Sequence, residues 1–213
     1  MKTKIKIILA IHCTDNYFGF AYKETTNKKS YEDFFIRKID KNISNNLVDD
    51  LNEFLSKKSF HSIERISVSK GPSNFNASRL VIVLARTLSQ QLNCSLDSYS
   101  SFYIMAKRIA LENKVYKKSE TFWIINKLKN KGFIAGMYGI KRYKDAPQNL
   151  FINELQIPQI YKDINSFKFN YFVDFDIKKD LLELLNLSTL NSEKNIFNSW
   201  DNVLPIYPIS PIN

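Results

Sequence analysis

The residues able to do chemistry in this chain fall in a few short stretches. The most suggestive runs from Ser67 to Leu80, SVSKGPSNFNASRL. A strand-like run meets Gly71-Pro72, and a helix-like run that contains Arg79 follows. Strand, glycine turn and helix is the order that wraps a phosphate in backbone N–H groups. A P-loop needs a second glycine, then Lys and Ser or Thr, and a dinucleotide fingerprint needs three glycines. Here Gly71 stands alone and Lys70 precedes it. The cradle fails on composition, and the stretch reads as a tight turn that aims a helix. His12-Cys13 pairs a base with a nucleophile in sequence, but neighbours on a strand point to opposite faces. Asp174 and Asp176 share a face if they lie on a strand and could do acid–base work. A strand end capping the next helix is the reading kept for them. His61 follows Phe60 at the end of a helix, where the dipole favours it. The two cysteines (Cys13, Cys94) and two histidines (His12, His61) have no metal-ligand spacing. No catalytic and no metal-ligating residue is assigned.

These stretches sit in an ordered series of elements. Residues 4–11 (KIKIILAI), 17–23 (YFGFAYK) and 31–38 (YEDFFIRK) read as three strands joined by turn-rich segments, as in two antiparallel hairpins. From Ser44, a plausible N-cap, to Lys58, the apolar residues Leu47, Val48, Leu51, Phe54 and Leu55 mark one face of a helix. Residues 64–68 read as a buried strand, parallel to the first. A helix from about Asn76 to Leu92 and a short strand at 95–99 close the half. The order β-β-β-α-β-α-β is the ribonuclease-H-like layout, half of the actin, Hsp70 and sugar-kinase architecture. The second half repeats it loosely, with a helix at 101–113, strands at 121–128, 132–140, 149–155 and 170–175, and a helix at 176–187. The fold class is α/β with mixed sheets. The subdomain boundary is placed near residue 100, giving 1–100 and a smaller, degenerate 101–213.

The 213 residues are 44% hydrophobic, with 16 Phe and 11 Tyr, so a substantial core is expected and disorder is not. No apolar run approaches the roughly 18 residues of a membrane helix. The opening MKTKIKIILAIHCTD has only a short apolar part and no small-residue cleavage site, and reads as a first strand. With so few cysteines the expected location is the reducing cytoplasm. The net charge is +10 and the pI about 9.4. Lys supplies 25 of the 31 positive charges and Arg 6, and the chain is rich in Asn and Ile, the bias of a low-GC genome. No dense basic run is interleaved with aromatics, so direct nucleic-acid binding is the lesser alternative.

The stretch ISVSKGPSNFNASR (66–79) resembles the signature of the TsaB (YeaZ) family: strand, then Gly-Pro-Gly-Ser-Phe-Thr-Gly-hydrophobic-Arg, then helix. Gly71, Pro72, Phe75 and Arg79 fall on matching positions. Ile8 to Ile11 with Thr14 resembles the family's first hairpin, Ser98 to Phe102 its entry into the next helix, and Leu204-Pro205-Ile206-Tyr207 its closing segment. The chain departs from the family at His12, where an Asp is usual, and at Ser73 and Ser78, where glycine is usual. The helix region lacks the His-Ser-Arg opening; Asn42-Ile43-Ser44 comes nearest. A neutral imidazole cannot replace a carboxylate toward Mg²⁺, and this weakens the rival reading as an ATPase or metallopeptidase-like enzyme. The resemblance implies a non-catalytic accessory subunit in making threonylcarbamoyladenosine in tRNAs that read ANN codons. Its partner would be a TsaD-type catalytic paralogue. A TsaE-type ATPase would join that pair, tRNA would be met indirectly, and the same surface could make a homodimer. No cofactor is implied for this chain alone, and nucleotide only at the interface of the complex. The family's contacts use the helices of the first half. The helix 76–92 is apolar nearly all round, which also asks for a partner. The interface expected is Leu47, Leu51, Phe54, Arg79, Val83, Arg86 and Gln90, with Arg79 able to pair with Asp50 or a partner carboxylate, and with Gly71, Pro72 and Phe75 forming the turn that aims the helix.

Overall fold

The computed structural model describes residues 5–26, 29–55, 60–129, 132–143 and 146–208. The described chain divides into two units. The first holds residues up to Tyr99 together with Asp176–Pro205, and the second holds Ser100–Phe175 and the residues from Ile206. This corrects the expected two-part division at residue 100, because the segment after residue 175 returns to the first unit.

In the first unit, strands β1 (Lys6–Cys13), β2 (Tyr17–Thr25), β3 (Ser30–Lys38), β4 (Ile63–Ser69) and β5 (Ser95–Tyr99) form one sheet in the order β3-β2-β1-β4-β5. β1, β2 and β3 are antiparallel, and β4 and β5 run parallel to β1. Helices α1 (Ile43–Phe54) and α2 (Phe75–Leu92) supply the long connections that parallel neighbours need. Alternation along β1 sorts the two faces. Ile7, Leu9, Ile11 and Cys13 join Leu47, Leu51, Val81 and Ala85 in the core beneath α1 and α2. Ala10 and His12 point the other way and pair across with Ala21 and Gly19. The small residues Ala10, Gly19 and Ala21 let a helix come close. The last helix of the chain lies on it: a Cβ built on Gly19 would stand 2.6 Å from Phe35 O and 3.0 Å from Leu181 Cδ1.

That helix is α4 (Ile177–Glu193). Its N-cap is Asp176, whose carboxylate accepts from Lys179 N at 3.1 Å, as expected for this residue. Leu181, Leu184 and Leu185 are fully buried. A buried carboxylate also ties α4 to this sheet. Asp97 on β5 accepts from Arg65 Nη1 on β4 at 2.8 and 3.0 Å, and from Ser188 at 2.5 Å, Asn191 at 3.0 Å and Asn198 at 2.6 Å. Arg65 also donates to the Ile196 carbonyl.

The second unit has α3 (Ser101–Glu112) and strands β6 (Thr121–Leu128), β7 (Gly132–Tyr143), β8 (Ala146–Tyr161) and β9 (Asn170–Phe172). The sheet order is β8-β7-β6-β9, with β6–β7–β8 antiparallel and β9 parallel to β6. This repeats β3-β2-β1-β4 of the first unit, so both units carry the ribonuclease-H-like order of the actin, Hsp70 and sugar-kinase architecture. α3 packs Phe102, Met105 and Ile109 on Phe122, Ile124 and Tyr138.

Element types agree with expectation and several boundaries move. α1 starts at Ile43 with Asn42 at the N-cap and no side-chain cap bond, so Ser44 is inside the helix. Its expected end at Lys58 lies outside the described residues, as do Lys4 of the first strand and the last five residues. β8 spans 16 residues, Ala146–Tyr161, where 149–155 is expected, and β9 stops at Phe172. No helix among the described residues is long and apolar enough to cross a membrane.

Candidate partner-binding face

The turn between β4 and α2 positions everything near the tip of β1. Gly71 has φ +86°, a conformation costly for any residue with a Cβ, and the Gly71–Pro72 peptide is cis. Lys70 N donates to Tyr99 O at 2.8 Å, tying the turn to β5. α2 then starts at Phe75, and Asn74 caps it by accepting from Ala77 N at 3.1 Å. The turn ends one element and aims the next.

The chain's own hydroxyls gather at this turn. Ser73 and Ser78, where the resembled family has glycine, bond to each other at 2.7 Å and meet Cys13 Sγ at 3.4 and 3.5 Å. Cys13 N donates to Ser69 Oγ at 3.4 Å. Burial pushes the Cys13 thiol up, while the bonds from Ser73 and Ser78 pull the other way. A buried, protonated thiol is a poor nucleophile. His12 lies on the opposite face of the strand, beneath α4, with Nε2 at 3.6 Å from Asp180 Oδ2. The two adjacent residues therefore do not meet. Asp174 forms an ion pair with Arg108, and His61 is exposed in a 3-10 turn at Phe60–Ser62. Among the described residues, no three His, Cys, Asp or Glu side chains cluster as metal ligands would.

The outer face of α1 and α2 is different in kind. Val48 and Val83 are each 60% exposed, large apolar side chains on neighbouring helices. Between the N-terminal ends of the helices a groove of about 680 Å³ is lined by Ile39, Ile43, Leu80 and Val83, with Asp40, Lys41, Asn76 and Arg79 on its polar side. Arg79 is exposed and lies over the Phe75 ring at 5.7 Å. Gln90 is exposed on the same helix.

Four residues expected at the interface stand elsewhere. Leu47 and Leu51 are 3% and 2% exposed, inside the protein's own core. No partner can reach them, and the expectation is corrected for both. The residues that repeat at helical spacing are the ones the sheet covers. Phe54 is half-buried in a ring cluster with Phe20, Tyr22 and Phe35, at centroid distances of 6.3, 5.2 and 6.2 Å. Arg86 lies over Trp200 at 5.6 Å and donates to Asp201 O at 3.5 Å, so the segment after α4 holds it. Asp50 pairs with Arg37 of β3 at 2.8 Å and not with Arg79. The apolar excess on α2 is mostly absorbed too, since Val81 and Ile82 are buried and Leu80, Leu84 and Leu88 lean on the core. Val83 is what remains open. Val48, Ile39 and Lys41 were missed as surface residues; Val48 directly follows Leu47, a step of 100° around the helix that takes it off the core face.

No family model matches the chain, and no curated protein matches it. Solved structures do. A Pseudomonas aeruginosa protein described as uncharacterized, with similarity to the peptidase YeaZ, superposes with a TM-score of 0.67 at 12% identity over 96% of this chain and 100% of its own. YeaZ from Pseudomonas aeruginosa superposes with a TM-score of 0.63 at 12% identity, over 95% of this chain and 99% of its own. At that identity the likeness is one of fold, and it extends over nearly all of the chain.

Proposed function

We propose that this chain is a TsaB-like, non-catalytic accessory subunit that docks through α1 and α2 onto a TsaD-type paralogue. It would thereby support formation of threonylcarbamoyladenosine in tRNAs that read ANN codons. A TsaE-type ATPase would join through the complex, tRNA would be met there, and the same face could instead take a second copy of the chain. The observation that carries the reading is the open apolar pair Val48 and Val83 beside a groove, on a chain that shares YeaZ's fold over 95% of its length. An apolar anchor in such a groove, with Lys41 and Arg79 meeting carboxylates at its rim, is how helical interfaces concentrate their affinity.

Reconstitution tests it. The paralogue from the same organism, threonylcarbamoyl-adenylate and tRNA are incubated with and without this chain, and the modified nucleoside is quantified by mass spectrometry. Product should rise many-fold with the chain present and stay at background with the Val83→Glu variant. Equal product without the chain refutes the proposal.

A further inference from the structure

The sheet of the second unit has two unlike faces. α3, the unit's one described α-helix, packs on the face that carries Phe122, Ile124 and Tyr138. Alternation puts Trp123 and Lys127 of β6 and Lys141 of β7 on the other. Strand register adds Phe151, opposite Lys141, and Phe172, opposite Ile125. This second face is built of rings. Trp123 stacks on Phe167 with centroids 3.9 Å apart and planes at 8°, and Tyr161 meets both edge-on. Phe151 and Phe172, on the two edge strands, are 43% and 61% exposed. Phe151 and Phe172 stand three strand spacings, about 14 Å, apart across the sheet and about six residues, about 20 Å, apart along it.

The charge has a matching sign. Residues 100–175 hold 13 Lys and Arg against 6 Asp and Glu, a net +7, while residues 206–213 hold none, so most of the chain's +10 belongs to this unit. Lys127 and Lys141 are exposed on the ring-bearing face, and Lys162 and Lys168 are exposed in the segment that carries Phe167. Open rings with lysines around them suit a strand whose bases are unstacked and whose phosphates need counter-charge. A duplex offers the phosphates but hides its base faces.

We propose that this sheet face binds single-stranded RNA, with Phe151 and Phe172 as stacking platforms and Lys127 and Lys141 as phosphate contacts. The proposal is independent of the accessory-subunit reading, whose face lies in the other unit.

Fluorescence anisotropy with a labelled uridine oligomer of about 12 nucleotides, and with a duplex of the same length, tests it on the full chain. The single strand should bind more tightly than the duplex. Phe151→Ala with Phe172→Ala should lower affinity about tenfold or more at an unchanged salt slope. Lys127→Ala with Lys141→Ala should reduce the slope of log affinity against log salt by about 1.4. Val83→Glu should change neither. All four positions are exposed, and an unchanged circular-dichroism melt shows that the variants fold. No binding, equal binding of duplex and single strand, or full affinity in the phenylalanine pair overturns the proposal. So does a loss of self-association in that pair with no RNA bound, which would assign the face to a second copy of the chain.

Discussion

Replacing Asp97 by Ala should do more damage than any other single polar change in the first unit. Asp97 is 1% exposed and accepts from Arg65, Ser188, Asn191 and Asn198. Arg65 is 6% exposed, so removing the carboxylate strands a buried guanidinium whose other bond goes to the Ile196 carbonyl. Breaking a buried pair from one side costs about 3–5 kcal/mol. For a chain of this size that is a fall in Tm on the order of 10 °C. The three other donors, all on α4 or the segment after it, lose their acceptor together. Urea denaturation followed by tryptophan fluorescence is well placed to read this, since Trp200 lies in that segment. Arg65→Leu combined with Asp97→Leu removes the stranded charge and should recover most of the loss, because a well-packed apolar pair can match a buried ionic one. If Asp97→Ala costs less than about 1 kcal/mol, or the double variant is no better than the single, the carboxylate is not what holds α4 to this sheet.

Other consequences can be checked separately. Leu51→Glu should unfold the protein, at a cost above about 4 kcal/mol, whereas Val83→Glu should shift stability by no more than about 0.5 kcal/mol; thermal melts of the two separate core from surface. Gly19→Ala places a Cβ 2.6 Å from Phe35 O and should cost about 1–3 kcal/mol in urea melts. Burial pushes the Cys94 thiol up to about 11 and raises Cys13 as well, so neither should react with a thiol reagent near pH 8 until denaturant is added. Burial raises the Asp50 carboxyl above 3.8, and Arg37 only partly opposes it. Because the folded value lies above the unfolded one, the stability this group adds is greatest below pH 3.8 and is lost as pH rises through the folded value. Asp50→Asn should remove that fall, and urea melts across this range compare the two slopes.

The first unit was legible because its strands carry their own signal. Ile7-Ile8-Leu9-Ala10-Ile11 is apolar on both faces, as a strand covered by helices on both sides must be. The turn residues between the first three strands fixed the hairpins. The return of α4 was not legible. Leu181, Leu184 and Leu185 announce a helix with an apolar stripe, but nothing local says which sheet the stripe meets. The contacts that make that choice include Asp97, whose partners Ser188, Asn191 and Asn198 lie about 90 to 100 residues on and are of types common on any surface. The exposed face of α1 and α2 was half legible for a related reason. Apolar spacing on α1 marks the residues the sheet covers, so Leu47 and Leu51 belonged to the core. Val83 could be read as surplus because α2 carries more apolar residues than one buried face uses.

Sedimentation velocity on this chain mixed with the TsaD-type paralogue of its organism tests the docking claim most directly. The account predicts a one-to-one complex at micromolar concentration, absent with Val83→Glu while that variant still melts like the parent. Two independent peaks with the unaltered chain, or a complex indifferent to Val83→Glu and Val48→Glu together, would contradict it.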